Sequence, residues 1–296
     1  MYRKGPNSVA PLARPATMRS LRALVAGPVA SVAVAGAVLG GCGTLSTSPA
    51  AGTFTPRSKG VLTVVTTDVP SAGFWTGTAA HPTGGFEYEL ARDLATRFGL
   101  KFVRVKLEHF HRVVRGQLDG ADLALDLITP TDKRREHLDF SSPYLDGAPT
   151  VVVRSLIDVP DLATAQALQW GAVRATTLVD VINNLIAPDQ PVRLYDNNAQ
   201  LVAAVESGQV DAILLDQPQA VVTANESHGR LAAVAQLPST EAISAALPKG
   251  SHNVEAVDSA VRAFTADGTI DKLLRKWIGD KAADAGRSIP LLRTTR

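Results

Sequence analysis

The apolar residues of this chain fall into two alternating patterns. Val61 to Thr66 is a continuous β-branched run, the composition of a strand covered on both faces. Glu87 to Phe98 sets Leu90, Ala91, Leu94, Ala95 and Phe98 at helical spacing, and Gly99 closes it. Lys101 to Leu107 alternates as a strand, Phe110 to Leu118 reads as a short helix, and Leu123 to Leu127 as the next strand. The alternation then recurs in kind, without a residue-level repeat. Trp170 to Arg174, Val192 to Tyr195 and Val210 to Leu215 read as strands, and Leu178 to Ile186, Asn198 to Ser207 and Pro218 to Ser227 as helices. Strands alternating with helices predict an α/β protein with mostly parallel sheets, and the recurrence predicts two lobes. Pro149 to Arg154 is an extended connection between the lobes, and the chain returns at Ala242 to Pro248. Helices over Val254 to Phe264 and Thr269 to Ile278 end the pattern. The basic tail from 281 to 296 has no period and reads as loose.

Composition adds little until the ends are separated. The 296 residues carry 30 basic and 28 acidic side chains, a net charge of +2. Five of the basic ones (Arg3, Lys4, Arg14, Arg19, Arg22) lie in residues 1–41, which hold no acid. Without them the balance is 25 against 28, or −3, which offers no case for nucleic acid. After that basic start, which Met1 or Met18 can open, comes the apolar run Ala23 to Leu39 and then Gly40-Gly41-Cys42. These are the parts of a signal peptide over 1–41. Leu-Gly-Gly-Cys resembles the bacterial lipoprotein box, which makes Cys42, the chain's one cysteine, a lipidation site. A transmembrane anchor is the other reading of the run, but its Ala/Gly content and Pro28 argue against it. Residues 42–59 then read as the lipidated cysteine and a flexible tether, reaching roughly 22 Å at ~5–6 Å × √n.

The candidate chemistry starts in Asp122 to Arg135, DLALDLITPTDKRR. A short apolar run meets a polar, Pro-containing turn and then a helix start. That gathers free backbone N–H groups at one spot, where the helix dipole favours an anion. Arg134 adds a planar fork suited to a carboxylate. Asp216 ends the strand VDAILL, where an acid is a ligand group or an ordinary helix cap. Thr176-Thr177 opens a helix after GAVRA. His109 and His111 flank Phe110 with no third ligand in view, which is too little for zinc.

The order Asp122, Leu123 to Leu125, Thr129, Thr131, Arg134 and then Asp139-Phe140-Ser141-Ser142-Pro143-Tyr144 resembles the core motif of the amino-acid-binding family of extracellular solute-binding proteins, which serve ABC importers. The likeness continues more weakly from about Val61 to Asp280. It implies a two-lobed periplasmic-binding-protein-like type 2 fold, each lobe a mostly parallel sheet flanked by helices, joined by a two-segment hinge. The lobes would be 60–150 plus 244–280 and 151–243. It also implies roles. Arg134, with Thr129, Thr176 and Thr177, would face the ligand carboxylate, and Asp216 would grip the α-ammonium. Phe74 and Phe110 would stack on the ligand, with Trp75 competing for the first place and core packing the plainer reading of both. Two positions depart from the pattern. Ala175 stands where the family has Gly, and Asp126 where it has Ser or another small residue. Asp126 together with Asp68 favours a basic or amide-bearing side chain over an acidic one.

The implied protein is a monomeric, lipid-anchored receptor on the outer face of the cytoplasmic membrane. It binds a free polar amino acid and delivers it to an ABC transporter permease, with no catalysis, cofactor or metal. Two alternatives stand beside it. One is a cyclohexadienyl or arogenate dehydratase-like enzyme on the same fold, with Glu87 or Asp126 as general acid. The other is a ligand-sensing subunit for a membrane signalling protein.

Overall fold

The computed structural model describes residues 52–239, 241–280 and 289–293. The leader and Cys42 lie outside them. In chain order, the first half runs β1 (Val61–Thr66), β2 (Thr76–Gly77), β3 (Pro82–Gly84), α1 (Phe86–Arg97), β4 (Phe102–Leu107), α2 (Phe110–Val113), β5 (Leu123–Ala124), α3 (Asp132–Arg135) and β6 (Leu138–Asp146). The second runs β7 (Pro149–Arg154), α4 (Leu162–Ala167), β8 (Trp170–Val173), α5 (Thr177–Val181), β9 (Arg193–Tyr195), α6 (Asn198–Glu206), β10 (Ala212–Asp216), α7 (Gln217–Glu226) and β11 (Leu231–Gln236). The chain then returns through β12 (Ala242–Pro248), α8 (Val254–Ala266) and α9 (Thr269–Trp277).

Two five-stranded sheets result, ordered β4-β1-β5-β12-β6 and β11-β7-β10-β8-β9. In each, four strands run in one direction and one runs against them. The opposed strands are β7 and β12, the two runs that the periodicity had set apart. Both are strands of their sheets, and the chain crosses between sheets just before each. The crossings are Gly147-Ala148 and the segment Leu237 to Glu241.

Some helices are shorter than their apolar period. The run from Phe110 keeps helical bonds only to Val113, because Gly116 takes a positive φ of 80° and turns the chain. Helix α5 passes into a π-helical turn, Ile182–Ile186, which ends on Ala187 in the left-handed region. The core explains the motif's outer residues. Asp122 accepts from Thr63 N (2.8 Å) and Arg57 N (2.7 Å), pinning β1 to the approach to β5. Tyr144 Oη donates to Glu87 Oε1 (2.5 Å), tying β6 to α1.

Both ends depart from expectation. Residues 54–57, expected within the tether, are docked on the first lobe. Phe54 stacks on Phe98 with ring centroids 4.4 Å apart, and Thr55 exchanges two hydrogen bonds with Asn253. One aromatic gives a small polar segment something to bury, which its average composition hides. The tail is likewise attached at 289–293. Leu292 is buried in the core of the second lobe, while Ile289 packs against the core of the first. Isolated bridges pair Leu291 with Gln236 and Arg293 with Asp161.

Gly85 begins α1 at φ 112°, ψ 158°, and a Cβ there would lie 2.2 Å from the Phe74 carbonyl oxygen. That backbone region is essentially closed to other residues and overpacking adds to the cost. Gly85→Ala is expected to lower stability by about 3 kcal/mol in urea unfolding.

Candidate functional site

The parallel strands of both sheets point their carboxyl ends at the gap between the lobes, the usual place for a ligand in open α/β sheets. A cleft of about 680 Å³, part of it open to solvent, lies there. All nine ligand residues expected from sequence line it. From the first lobe come Asp68, Phe74, Phe110, Asp126, Thr129 and Arg134. Thr176, Thr177 and Asp216 come from the second.

Arg134 is 7% exposed. The turn after β5 places it: Thr131 caps α3 by accepting from Arg134 N (3.2 Å). Its guanidinium donates to the Thr129 carbonyl (2.8 Å) and, across the cleft, to the Ala175 carbonyl (3.0 Å). Ala175 sits at φ +66°, the left-handed conformation a glycine would take without strain. The chain thus keeps the loop shape despite the substitution, and the shape aims that carbonyl at Arg134. Phe110 lies under the guanidinium at 5.2 Å from ring centroid to Cζ. Burial pulls the Arg134 pKa down to about 10, against the nearby acids Glu241, Asp216 and Asp126, so it stays charged at neutral pH.

Asp216 stands at the N-cap position of α7 but makes no cap hydrogen bond. Its Oδ1 is buried and has no partner. Gly147, at the first crossing, leaves room for it: a Cβ there would sit 3.0 Å from that oxygen. Burial, and next the charge of Glu241, push the Asp216 carboxyl up to about 8. An unpartnered acceptor in such a place is costly unless something arrives to donate to it.

The other end of the cleft is acidic. Asp126 accepts from Thr66 Oγ1 (3.0 Å) and Thr67 Oγ1 (2.5 Å), and burial with the neighbouring Glu87 lifts it to about 8. Glu87 takes Trp75 Nε1 (2.8 Å), Leu127 N (2.9 Å) and Tyr144 Oη (2.5 Å), and burial raises its pKa too. Asp68 accepts from Asn198 N at the start of α6 on the other lobe (3.1 Å), and burial raises it against that bond. Phe74 lines the cleft while packing in the first lobe's core, whereas Trp75, in the same core, donates to Glu87. Thr176 turns its hydroxyl to the Val173 carbonyl (2.8 Å), so of the two threonines only Thr177 reaches toward the carboxylate end.

Sequence reading missed Asn198, Gln219 and Glu241. Glu241 lies in a crossing segment with no motif, and only the packing of the two lobes brings its carboxylate to Thr129 and Thr177. Among the described residues no cluster of metal-ligating side chains occurs, and the His109 and His111 rings simply stack at 5.6 Å. What the arrangement can do is hold a molecule of both charges, with a guanidinium and hydroxyls at one point and a lone acceptor on the opposite lobe.

The pH dependence follows from the two lifted carboxyls. Unfolded, Asp126 and Asp216 ionise near 4, while in the cleft they keep their protons to about 8. The folded state binds more protons across that window, so their stabilising contribution is complete below about 4 and lost as pH rises to about 8. Urea titrations of the ligand-free protein are expected to show stability falling through this range, with a shallower fall in Asp216→Asn.

The sequence matches the profile of Bacterial extracellular solute-binding proteins, family 3, over residues 63–280. The L-cystine-binding protein TcyJ of Escherichia coli strain K12 is 27% identical over 201 residues, 66% of this chain and 74% of that protein. Among solved structures, an ancestral arginine-binding protein bound to glutamine is 26% identical with a TM-score of 0.65, covering 75% of this chain and all of that one. An amino acid ABC transporter substrate-binding protein from Streptococcus pneumoniae bound to L-arginine is 26% identical with a TM-score of 0.66, covering 74% and 94%.

Proposed function

The chain belongs to family 3 of the bacterial extracellular solute-binding proteins, and we propose that its cleft captures a free amino acid with a cationic side chain. As an amino-acid-binding protein of this family it is a binder, and the dehydratase-like alternative is set aside on that ground. The observation that carries the finer reading is the buried, unpartnered Oδ1 of Asp216 in one cavity with the buried Arg134 of the other lobe. A free amino acid brings an ammonium to the first and a carboxylate to the second. It bridges the lobes and thereby favours their closure.

The side chain is argued from charge. Beyond Asp216 and Arg134, the lining adds Asp68, Glu87 and Asp126 and no further cation. An acidic side chain there would face like charge, whereas a guanidinium or ammonium would pair with it and draw the lifted carboxyls back into their ionised form. The Streptococcus pneumoniae neighbour was solved with arginine and the ancestral one with glutamine, which supports a long, polar side chain. Delivery to a permease is in keeping with the ABC transporter neighbours. Anchoring through Cys42, after cleavage of 1–41, rests on the leader sequence.

Calorimetric titration with arginine, lysine, glutamine and glutamate tests this. Arginine or lysine is expected to bind tightest and glutamate not at all. Arg134→Ala and Asp216→Ala are each expected to cost about 3–5 kcal/mol of affinity, since each leaves a charge buried alone. Asp126→Asn should narrow the preference for arginine over glutamine. Because a cation displaces protons from carboxyls lifted to about 8, arginine affinity should also rise with pH up to that value, more steeply than glutamine affinity. Tight glutamate binding, or full affinity in Arg134→Ala, would overturn the reading.

A further inference from the structure

Glu241 lies in the second crossing, and its backbone is fixed on both sides. Its N–H donates to Ser239 Oγ (2.9 Å), and its carbonyl accepts from Gly147 N in the first crossing (2.9 Å). From there the side chain reaches the cleft. Oε2 accepts from Thr177 Oγ1 of the second lobe (3.0 Å) and from Thr129 Oγ1 of the first (3.4 Å). Thr129 also gives its carbonyl to Arg134, so Glu241 sits at the carboxylate-binding corner. Among the acids acting on Arg134, Glu241 acts most strongly, ahead of Asp216, although no carboxylate among the described residues stands within ion-pair distance of that guanidinium.

We propose that Glu241 is a built-in carboxylate that fills the carboxylate-binding corner of the empty cleft and must be displaced by the carboxylate of an incoming amino acid. The proposal rests on the reading of Arg134, Thr129 and Thr177 as that corner. A hydroxyl has one proton to donate, so Thr129 and Thr177 cannot serve Glu241 and a ligand carboxylate at the same time. Because its two partners belong to different lobes, the same contact holds the empty lobes together. It stabilises a closed state whose corner is not free for a ligand carboxylate. Glu241 is partly exposed and starts from a loop, so on displacement it turns to water. The ligand then completes closure in its place. Glu241 is thus an affinity-setting residue: it stabilises the reference state that binding of a carboxylate must leave.

Glu241→Ala tests this with two measurements. Solution scattering of the ligand-free protein is expected to give a larger radius of gyration in the variant than in the wild type. The two should coincide with arginine bound. Calorimetry should show arginine binding about tenfold tighter in the variant, equivalent to about 1.4 kcal/mol. Agmatine, which is arginine without its carboxylate, never competes for the corner and should gain nothing. An unchanged ligand-free radius overturns the inference, and so does arginine affinity that is unchanged or weaker. An equal gain for agmatine also overturns it, since that would be a general loss of negative charge. Arg134→Ala keeps the two levels apart. If it leaves arginine affinity intact, the corner itself is misassigned; if it abolishes binding while Glu241→Ala does not tighten it, only the role of Glu241 fails.

Discussion

Arg134 and Asp216 are ionisable groups buried in one cleft, on different lobes, and neither holds an ion-pair partner among the described residues. Placing them there works against folding. A charge taken from water costs several kcal/mol unless it is matched, and a half-matched one is the worst case. The fold meets this cost in different ways at the two residues. Arg134 keeps its charge, spreading it onto two carbonyls and the face of Phe110. Asp216 gives its charge up near neutral pH by holding a proton. The asymmetry has a chemical cause, since a guanidinium cannot be neutralised in reach of neutral pH and a carboxyl can. The unmet demand is concentrated where a molecule of opposite charges would satisfy it, so the destabilised empty site and the ligand preference are one fact.

The crossings determine how that demand becomes motion. Each sheet receives its one opposed strand from the chain that crosses, so β7 and β12 are built into the two cores. The crossing itself is left to Gly147-Ala148 on one side and to the stretch that leaves β11 at Leu237 on the other. Gly147, in the first crossing, leaves space against Asp216 Oδ1. A hinge residue that also packs on a ligand group links lobe angle to site geometry directly. Docking of 289–293 adds a contact near the same edge, with Ile289 on one core and Leu292 on the other. Residues that had looked like loose ends are thereby drawn into the part of the molecule that must bend.

Much of this could be read from the chain, for identifiable reasons. β-Branched runs and helical apolar spacing report burial directly, so β1, α1, β4, β10 and α8 are where the pattern puts them. The nine cleft residues were legible because each sits at a strand end or helix start in a spaced motif. Glu241 was not, for it is local to nothing: its partners are 64 and 112 residues away. Phe54 was hidden in a polar segment, and the strand character of Leu231 to Gln236 was hidden by its alanines. Trp75 and Phe74, adjacent and equally aromatic, could be told apart only by the hydrogen bond from Trp75 to Glu87, which commits it to the core.

That hydrogen bond also bears on selectivity. Glu87 is saturated by three donors, so its charge or proton is held in place. Asp126, beside it, is held by the Thr67 backbone N–H and by two threonine hydroxyls, which can turn to donate or accept. Of the acids at that end, Glu87 would therefore act as a fixed field and Asp126 as the group that answers the proposed ligand. A family position usually filled by a small residue here carries a carboxyl whose ionisation depends on what arrives. On the proposed reading, the cleft would meet a cationic side chain as a charge and a neutral one as a protonated acid, and the first interaction would be the stronger in a site drained of water. Preference between them then follows from how much of the proton on Asp126 the ligand can displace, a property of one substitution acting inside a scaffold that is otherwise the family's.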